Sequence, residues 1–242
     1  MEWYEVAFDR MYPILYSHRD IEEASRVVEN FEDLFDGETA VLDLASGTGR
    51  YVEAMRRAGH ECFGFDLSHY LLRSSVDVFG HSGCLVQGDM RQLPFVDDGL
   101  GAVMNMFTSF GYFSIDTDNL LVFKEVYRVL MRGGVFLFDF INAGRLSREL
   151  LENTHRRAGD YEIDERRRIE SRGKYLSKTA VISNPQTGQR ERIEERLRLY
   201  TREELRIMFV SVGFRVEATY GDYERNPFVD GVSERLIIVA RK

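Results

Sequence analysis

Three aspartates and one small-residue loop are the parts of this 242-residue sequence best suited to chemistry. Asp43 closes a short leucine-rich and β-branched run that passes into Ala45-Ser46-Gly47-Thr48-Gly49. Asp66 ends a second such run about 20 positions on, and Asp89 follows a third, within Gly88-Asp89-Met90. A strand, a small-residue turn and a helix start form a docking place: glycines admit a ligand close to the backbone, and the free N–H groups of the first helical turn favour oxygen-rich groups. The ligand that fits is a nucleoside cofactor. Asp66 stands where a carboxylate accepts hydrogen bonds from two ribose hydroxyls. Each aspartate also has a plainer use, Asp66 as a helix N-cap and Asp89 as a turn former, but three of them at three strand ends favour binding. A dedicated nucleophile is not evident, nor is a His/Cys cluster at metal-ligand spacing, so no metal is expected. For moving a proton the sequence offers Tyr112 and Asp139, with His155 a lone histidine in a polar segment; the catalytic group stays open among them and bulk water. Asp139 and Asn142 are also candidates for holding a substrate amine or hydroxyl, or for capping.

These residues need a scaffold, and hydrophobic periodicity supplies one. Strand patterns cover residues 40–44, 61–65, 84–87, 102–106 and 135–140. Between them lie helical patterns running to about Ala58, over 68–79, and from Asp116 to Leu130, the last stopped by Gly133-Gly134. Strands alternating with helices make a doubly wound parallel sheet, with ligands at the carboxyl ends of its strands. There the loop Phe107-Thr108-Ser109-Phe110-Gly111-Tyr112-Phe113 must border the crevice. Upstream, Trp3, Tyr4, Phe8, Tyr12 and Tyr16 either pin an N-terminal segment to the body or form a lid, before a helix capped by Asp20 and Glu23. From 158 to 200 the pattern alternates in the strand manner around a turn at Asn184-Pro185-Gln186-Thr187-Gly188, giving an antiparallel insertion. Ile193, Leu197 and Leu199 face one way there; Arg192, Glu194, Arg196 and Arg198 face the other. A helix capped by Thr201 and Glu204, then strands over 214–220 and 234–240, complete the chain.

The stretch Asp43-Leu44-Ala45-Ser46-Gly47-Thr48-Gly49 resembles motif I of the class I S-adenosylmethionine-dependent methyltransferases, an acidic residue followed by x-G-x-G-x-G. Ala45 replaces the first glycine; it should exclude a strongly positive φ yet still let the cofactor approach. Gly88-Asp89-Met90 resembles the adenine-binding motif of the same family. The run from Val126 to Phe136, Val-Tyr-Arg-Val-Leu-Met-Arg-Gly-Gly-Val-Phe, is similar to the segment that usually ends Leu-x-Pro-Gly-Gly. The 107–113 loop resembles that of small-molecule N-methyltransferases, including those for nucleotide-linked amino sugars. The resemblance implies an α/β, doubly wound Rossmann-like sheet of seven strands, the last antiparallel, divided as 1–157, an insertion at 158–200 over the substrate side, and 201–242. It implies S-adenosyl-L-methionine as cofactor, held by Tyr16, Arg19, Asp43, Ala45, Ser46, Gly47, Gly49, Asp66, Leu67, Asp89, Met90, Met106 and Phe107. The activity implied is methyl transfer to nitrogen or oxygen of a small molecule. A non-catalytic or dimeric cofactor-binding scaffold is the alternative from another class, and an NAD-dependent oxidoreductase the third; the missing third glycine and the absence of a Tyr-x-x-x-Lys element weigh against the latter.

Composition bounds the partners. A formal net charge of -8 and a pI of about 5.3 give no long-range field for polyanions, so nucleic acid is not expected. Arg166-Arg167-Arg168 is flanked by acids and split between two strand faces, which suits a solvated surface. Cys62 and Cys84 read as small core residues of a reducing compartment. No apolar leader or run of about 18 apolar residues stands in the sequence, so no membrane is expected and a cytoplasmic location is. A homodimer is left open.

Overall fold

The chain is described here by a computed structural model covering residues 2–35, 37 and 40–242. Met1, where the expected N-terminal segment begins, lies outside them. Two short helices, α1 (Trp3–Ala7) and α2 (Tyr12–Leu15), precede α3 (Ile21–Asn30), whose N-cap Asp20 accepts from the Glu23 amide. Then come β1 (Val41–Leu44), α4 (Arg50–Arg57), β2 (Cys62–Asp66), α5 (His69–Phe79), β3 (Leu85–Gln87), β4 (Leu100–Asn105), α6 (Asp116–Val129) and β5 (Leu130–Ile141). Helix α7 (Ala143–Glu149) leads into four strands, β6 (Asn153–Ala158), β7 (Tyr161–Glu170), β8 (Tyr175–Ser183) and β9 (Arg190–Arg198). Helix α8 (Arg202–Val212), β10 (Arg215–Tyr220) and β11 (Arg235–Arg241) close the chain.

The main sheet has the order β10-β11-β5-β4-β1-β2-β3, and only β11 runs antiparallel to its neighbours. This is the seven-stranded arrangement anticipated from the sequence. Alternation along the strands divides its core: Phe136, Phe138, Leu236 and Ile238 meet α6 and α8 on one face, while Val135, Leu137, Ile237 and Val239 meet α3 and α4 on the other. Chain order reverses between β1 and β4, so the crevice of a doubly wound sheet opens at their carboxyl ends, beside Asp43 and Asn105.

The second sheet, β6-β7-β8-β9, is an antiparallel meander that starts at Asn153, ahead of the expected residue 158. Strand β6 explains the difference, because none of its residues is fully buried and its hydrophobic pattern is silent. Arg198 departs from the alternation as well. It is 5% exposed, not solvated, because β9 enters the body of the protein there, where the Arg198 amide donates to the Gly111 carbonyl and the guanidinium pairs with Glu204. The inner face of this sheet is apolar toward the N-terminus: Ile163, Ala180, Ile182 and Ile193 form a third core with Ala7, Met11 and Leu15. No helix among the described residues is long and apolar enough to cross a membrane.

Candidate functional site

The loop between β1 and α4 is held to β2 by its own backbone. The amides of Ala45 and Ser46 both donate to the Phe65 carbonyl, at 2.7 and 3.0 Å, and the Gly47 amide donates to Asp66 Oδ2 at 2.8 Å. Ala45 is forced to φ 63°, which corrects the expectation that alanine would keep out of the left-handed region. The strain, about 1–2 kcal/mol for such a residue, is sustained by the paired amides. Gly49 has a different part. A Cβ there would lie 2.1 Å from Ser75 Oγ, so it faces α5 and lets α4 close over a chain in which Ser75 meets His81 Nδ1 and His81 Nε2 meets Glu53. Gly49 therefore shapes the loop from behind.

Three cavities meet at this crevice and share Tyr12. One, of about 60 Å³, runs along Ala45, Gly47, Asp66, Leu67, Asp89 and Met90 under Tyr4, Phe8 and Tyr112. A second, of about 160 Å³, is lined by Tyr16, Arg19, Asp43, Ser46, Arg50, Met106 and Phe107. The third, about 290 Å³, lies between the N-terminal helices and the inner face of the second sheet. All of the proposed cofactor residues except Gly49 line the first two. Asp43 is buried, and among the described residues its Oδ2 has no partner; Ser46 Oγ and Arg19 Nε are likewise buried and without a partner there. Burial raises the Asp43 carboxyl to about 7, against the pull of Arg50. Asp66 is raised by burial too, which outweighs the amides of Ser68 and Gly47 that bond to it.

Asp89 carries a partner the sequence reading missed. Arg91, two residues on, donates to both of its carboxylate oxygens, at 3.1 and 2.6 Å, lies over the Phe113 ring and reaches Asp118. Such a turn-borne pair has no periodic signal. Burial would raise the Asp89 carboxyl, but these bonds hold it below the usual range.

Beyond β4 the chain turns through Phe107 and Thr108, both left-handed at φ 56° and 63°. Asp139, fully buried in β5, holds this turn. Its Oδ2 accepts from the Phe107 amide at 2.7 Å and from the Tyr223 hydroxyl at 2.7 Å, while Arg235 of β11 donates to both oxygens, at 2.7 and 2.9 Å, and to Thr108 Oγ1. Fully paired and lining none of the three cavities, Asp139 is placed to position the loop. Asn142 caps α7, accepting from the Gly144 and Arg145 amides. Tyr112 lines the first and third cavities, with its hydroxyl donating to the Thr108 carbonyl, and burial raises its phenol far above the usual value. His155 lies elsewhere, on the outer face of the second sheet, paired with Asp164 at 2.8 Å.

The third cavity brings in side chains that the sequence did not single out. Lys178 of β8 donates to the Tyr16 hydroxyl at 2.7 Å and approaches Glu165 at 3.1 Å and Glu195 at 3.3 Å. Tyr16 in turn donates to Glu195 at 3.2 Å. Arg19 lies over the Phe107 ring, 4.3 Å from its centroid, and pairs with Glu23. Tyr16 and Arg19 thus stand between the second and third cavities, as a lid would.

Residues 42–138 match the family described as Methyltransferase domain. The Bacillus subtilis protein YqeM is 28% identical over 149 residues, which is 61% of this chain, and the chain spans 59% of that protein's length. Among solved structures, the CcbJ methyltransferase of Streptomyces caelestis aligns with a TM-score of 0.83 at 20% identity, covering 98% of each chain. The SAM-bound CalS10 of Micromonospora echinaspora, an amino pentose methyltransferase, aligns with a TM-score of 0.69 at 18% identity over 96% of this chain and 97% of its own. At such identities the likeness is one of fold, and it extends across both sheets.

Proposed function

We propose that this chain, whose residues 42–138 match the family described as Methyltransferase domain and whose fold is shared along nearly its whole length with S-adenosylmethionine-dependent methyltransferases, is a methyltransferase that acts on a nitrogen or oxygen of a small molecule. The observation that carries this is the meeting of three cavities at Tyr12. One suits a nucleoside, one an amino-acid portion, and the third an acceptor.

The cofactor supplies an electrophilic methyl group on a sulfonium centre. Asp66 would take the ribose hydroxyls, and Leu67, Asp89 and Met90 would line the base. The unpaired atoms of Asp43, Ser46 and Arg19 match an ammonium and a carboxylate in chemistry, two acceptors beside a cation. Met106, Phe107 and Tyr16 wall off the reacting centre, and their task is to exclude water and to hold donor and acceptor in line. Such a displacement needs no protein nucleophile. Tyr112 and Asp139 are both engaged in bonds of their own, and Glu195 is held by Tyr16 and Lys178, so the acceptor's proton leaves to solvent.

Isothermal calorimetry with S-adenosylmethionine, S-adenosylhomocysteine and NAD tests the cofactor assignment. Both sulfur nucleosides should bind and NAD should not. Asp66→Ala, checked for folding by circular dichroism, should lose about 1.5–3 kcal/mol of that binding. NAD binding without either sulfur nucleoside, or an Asp66→Ala variant with parental affinity, would reject the assignment.

A further inference from the structure

The third cavity is basic inside an acidic protein. Its charged lining comprises Arg19, Arg156, Arg167, Lys178 and Arg235 against Glu165 and Glu195, whereas the whole chain has a formal net charge of -8. Two of these cations are matched from outside the cavity, Arg235 by buried Asp139 and Arg19 by Glu23. The others share two carboxylates. Arg167 takes Glu165 at 2.8 Å, and Lys178 bridges Glu165 and Glu195 at 3.1 and 3.3 Å. Burial would raise the Glu165 carboxyl, but Lys178 and Arg167 hold it below the usual range, so it is ionised and fully engaged. Among the described residues that leaves Arg156, whose nearest carboxylate oxygen, on Glu165, is 4.0 Å away and whose guanidinium otherwise donates to the Leu15 carbonyl. One positive charge is in excess, on a half-buried guanidinium whose side chain is 29% exposed. A guanidinium without a full carboxylate partner, beside an ammonium, is a strong site for a forked oxyanion.

We infer that this chamber takes a methyl acceptor bearing an oxyanion, a carboxylate or a phosphate, held by Arg156 with Arg167 and Lys178 beside it. The inference rests on the methyl-transfer proposal only for the word acceptor. Because the lid residue Tyr16 bonds to Lys178, the anion end lies on the second sheet and the end to be methylated turns toward Tyr16 and Phe107. An anionic acceptor is thereby selected by a local field opposite in sign to that of the whole protein.

The test is calorimetric titration of the full chain, saturated with S-adenosylhomocysteine, with inorganic phosphate and, separately, acetate, at constant ionic strength set by chloride. One saturable site for at least one of the ions is expected, and the better ion identifies the headgroup. Arg156→Gln should weaken it at least tenfold and Arg156→Lys only a few-fold. Arg166→Gln, on the exposed face of the same sheet, should leave it unchanged. No saturable site, equal binding by Arg156→Gln, or equal loss in Arg166→Gln would each overturn the inference. So would loss of S-adenosylhomocysteine affinity in Arg156→Gln with no anion site in the loaded parent, which would assign Arg156 to the cofactor. Repeating the titration without the nucleoside separates the questions: if S-adenosylhomocysteine itself fails to bind, the cofactor proposal falls while the anion site is still read.

Discussion

Burial of Asp43 beneath the loop lifts its carboxyl to about 7, with Arg50 opposing and Asp66 adding to the shift. An aspartate in an unfolded chain titrates near 3.9, so between those values the folded state binds more protons than the unfolded one. Its contribution to stability is therefore complete below about pH 4 and is lost as pH rises through about 7. Asp43→Asn should remove that decline, and urea unfolding of parent and variant across this range would show it. Ligand binding should run the opposite way. An ammonium placed at the unpaired Oδ2 favours the ionised form, so S-adenosylhomocysteine affinity should climb up to about tenfold per pH unit below 7 and then level off. In Asp43→Asn binding should be weaker and flat with pH; a parental pH profile in that variant would remove Asp43 from the contact.

At the scale of elements, the turn after β4 shows how far a sequence can be read. Its position was legible because a β-branched and apolar run stops at a cluster of aromatic and small residues, and Asp43 and Asp66 were legible because strand ends in this topology face the crevice. What holds the turn was not. Asp139 and Arg235 are 96 residues apart in the chain, and only the antiparallel pairing of β11 with β5 brings them together. The same limit hid Lys178, Glu165 and Glu195, which sit on the inner face of a sheet amid alternating charges that read as solvated. Removing one member of the buried pair should be costly. Asp139→Ala leaves the Arg235 guanidinium buried without its carboxylate, an effect of about 3–5 kcal/mol, and frees the left-handed Phe107–Thr108 turn. Stability measured by chemical denaturation should fall by that order. A small loss at constant cofactor affinity would mean that the turn holds itself.

For the molecule as a whole, the question is whether the second sheet is an appendage or part of the cofactor site. From chain position alone it looks separable, since the carboxylates assigned to the cofactor all precede Pro94. The packing argues otherwise. Helices α1 and α2 bury Ala7, Met11 and Leu15 against Ile163, Ala180, Ile182 and Ile193, so the segment carrying Tyr16 and Arg19 rests partly on the second sheet. Replacing residues 153–198 by a short Gly/Ser bridge should give a domain whose main sheet folds, by circular dichroism, but which binds S-adenosylhomocysteine more weakly than the parent. A gentler version is Ile163→Ala, at a fully buried position, where truncation costs about 2–5 kcal/mol. That loss should fall on the third core and not on the main sheet. Amide exchange should therefore quicken over residues 3–16 and in β7 while β1, β4 and β5 keep their protection, and cofactor affinity should drop in step with the quickening. Unchanged exchange in α1 and α2, or parental affinity in the deletion variant, would show that the N-terminal segment is held by the main domain through Trp3, Tyr4 and Phe8, and that the second sheet does not support the cofactor site.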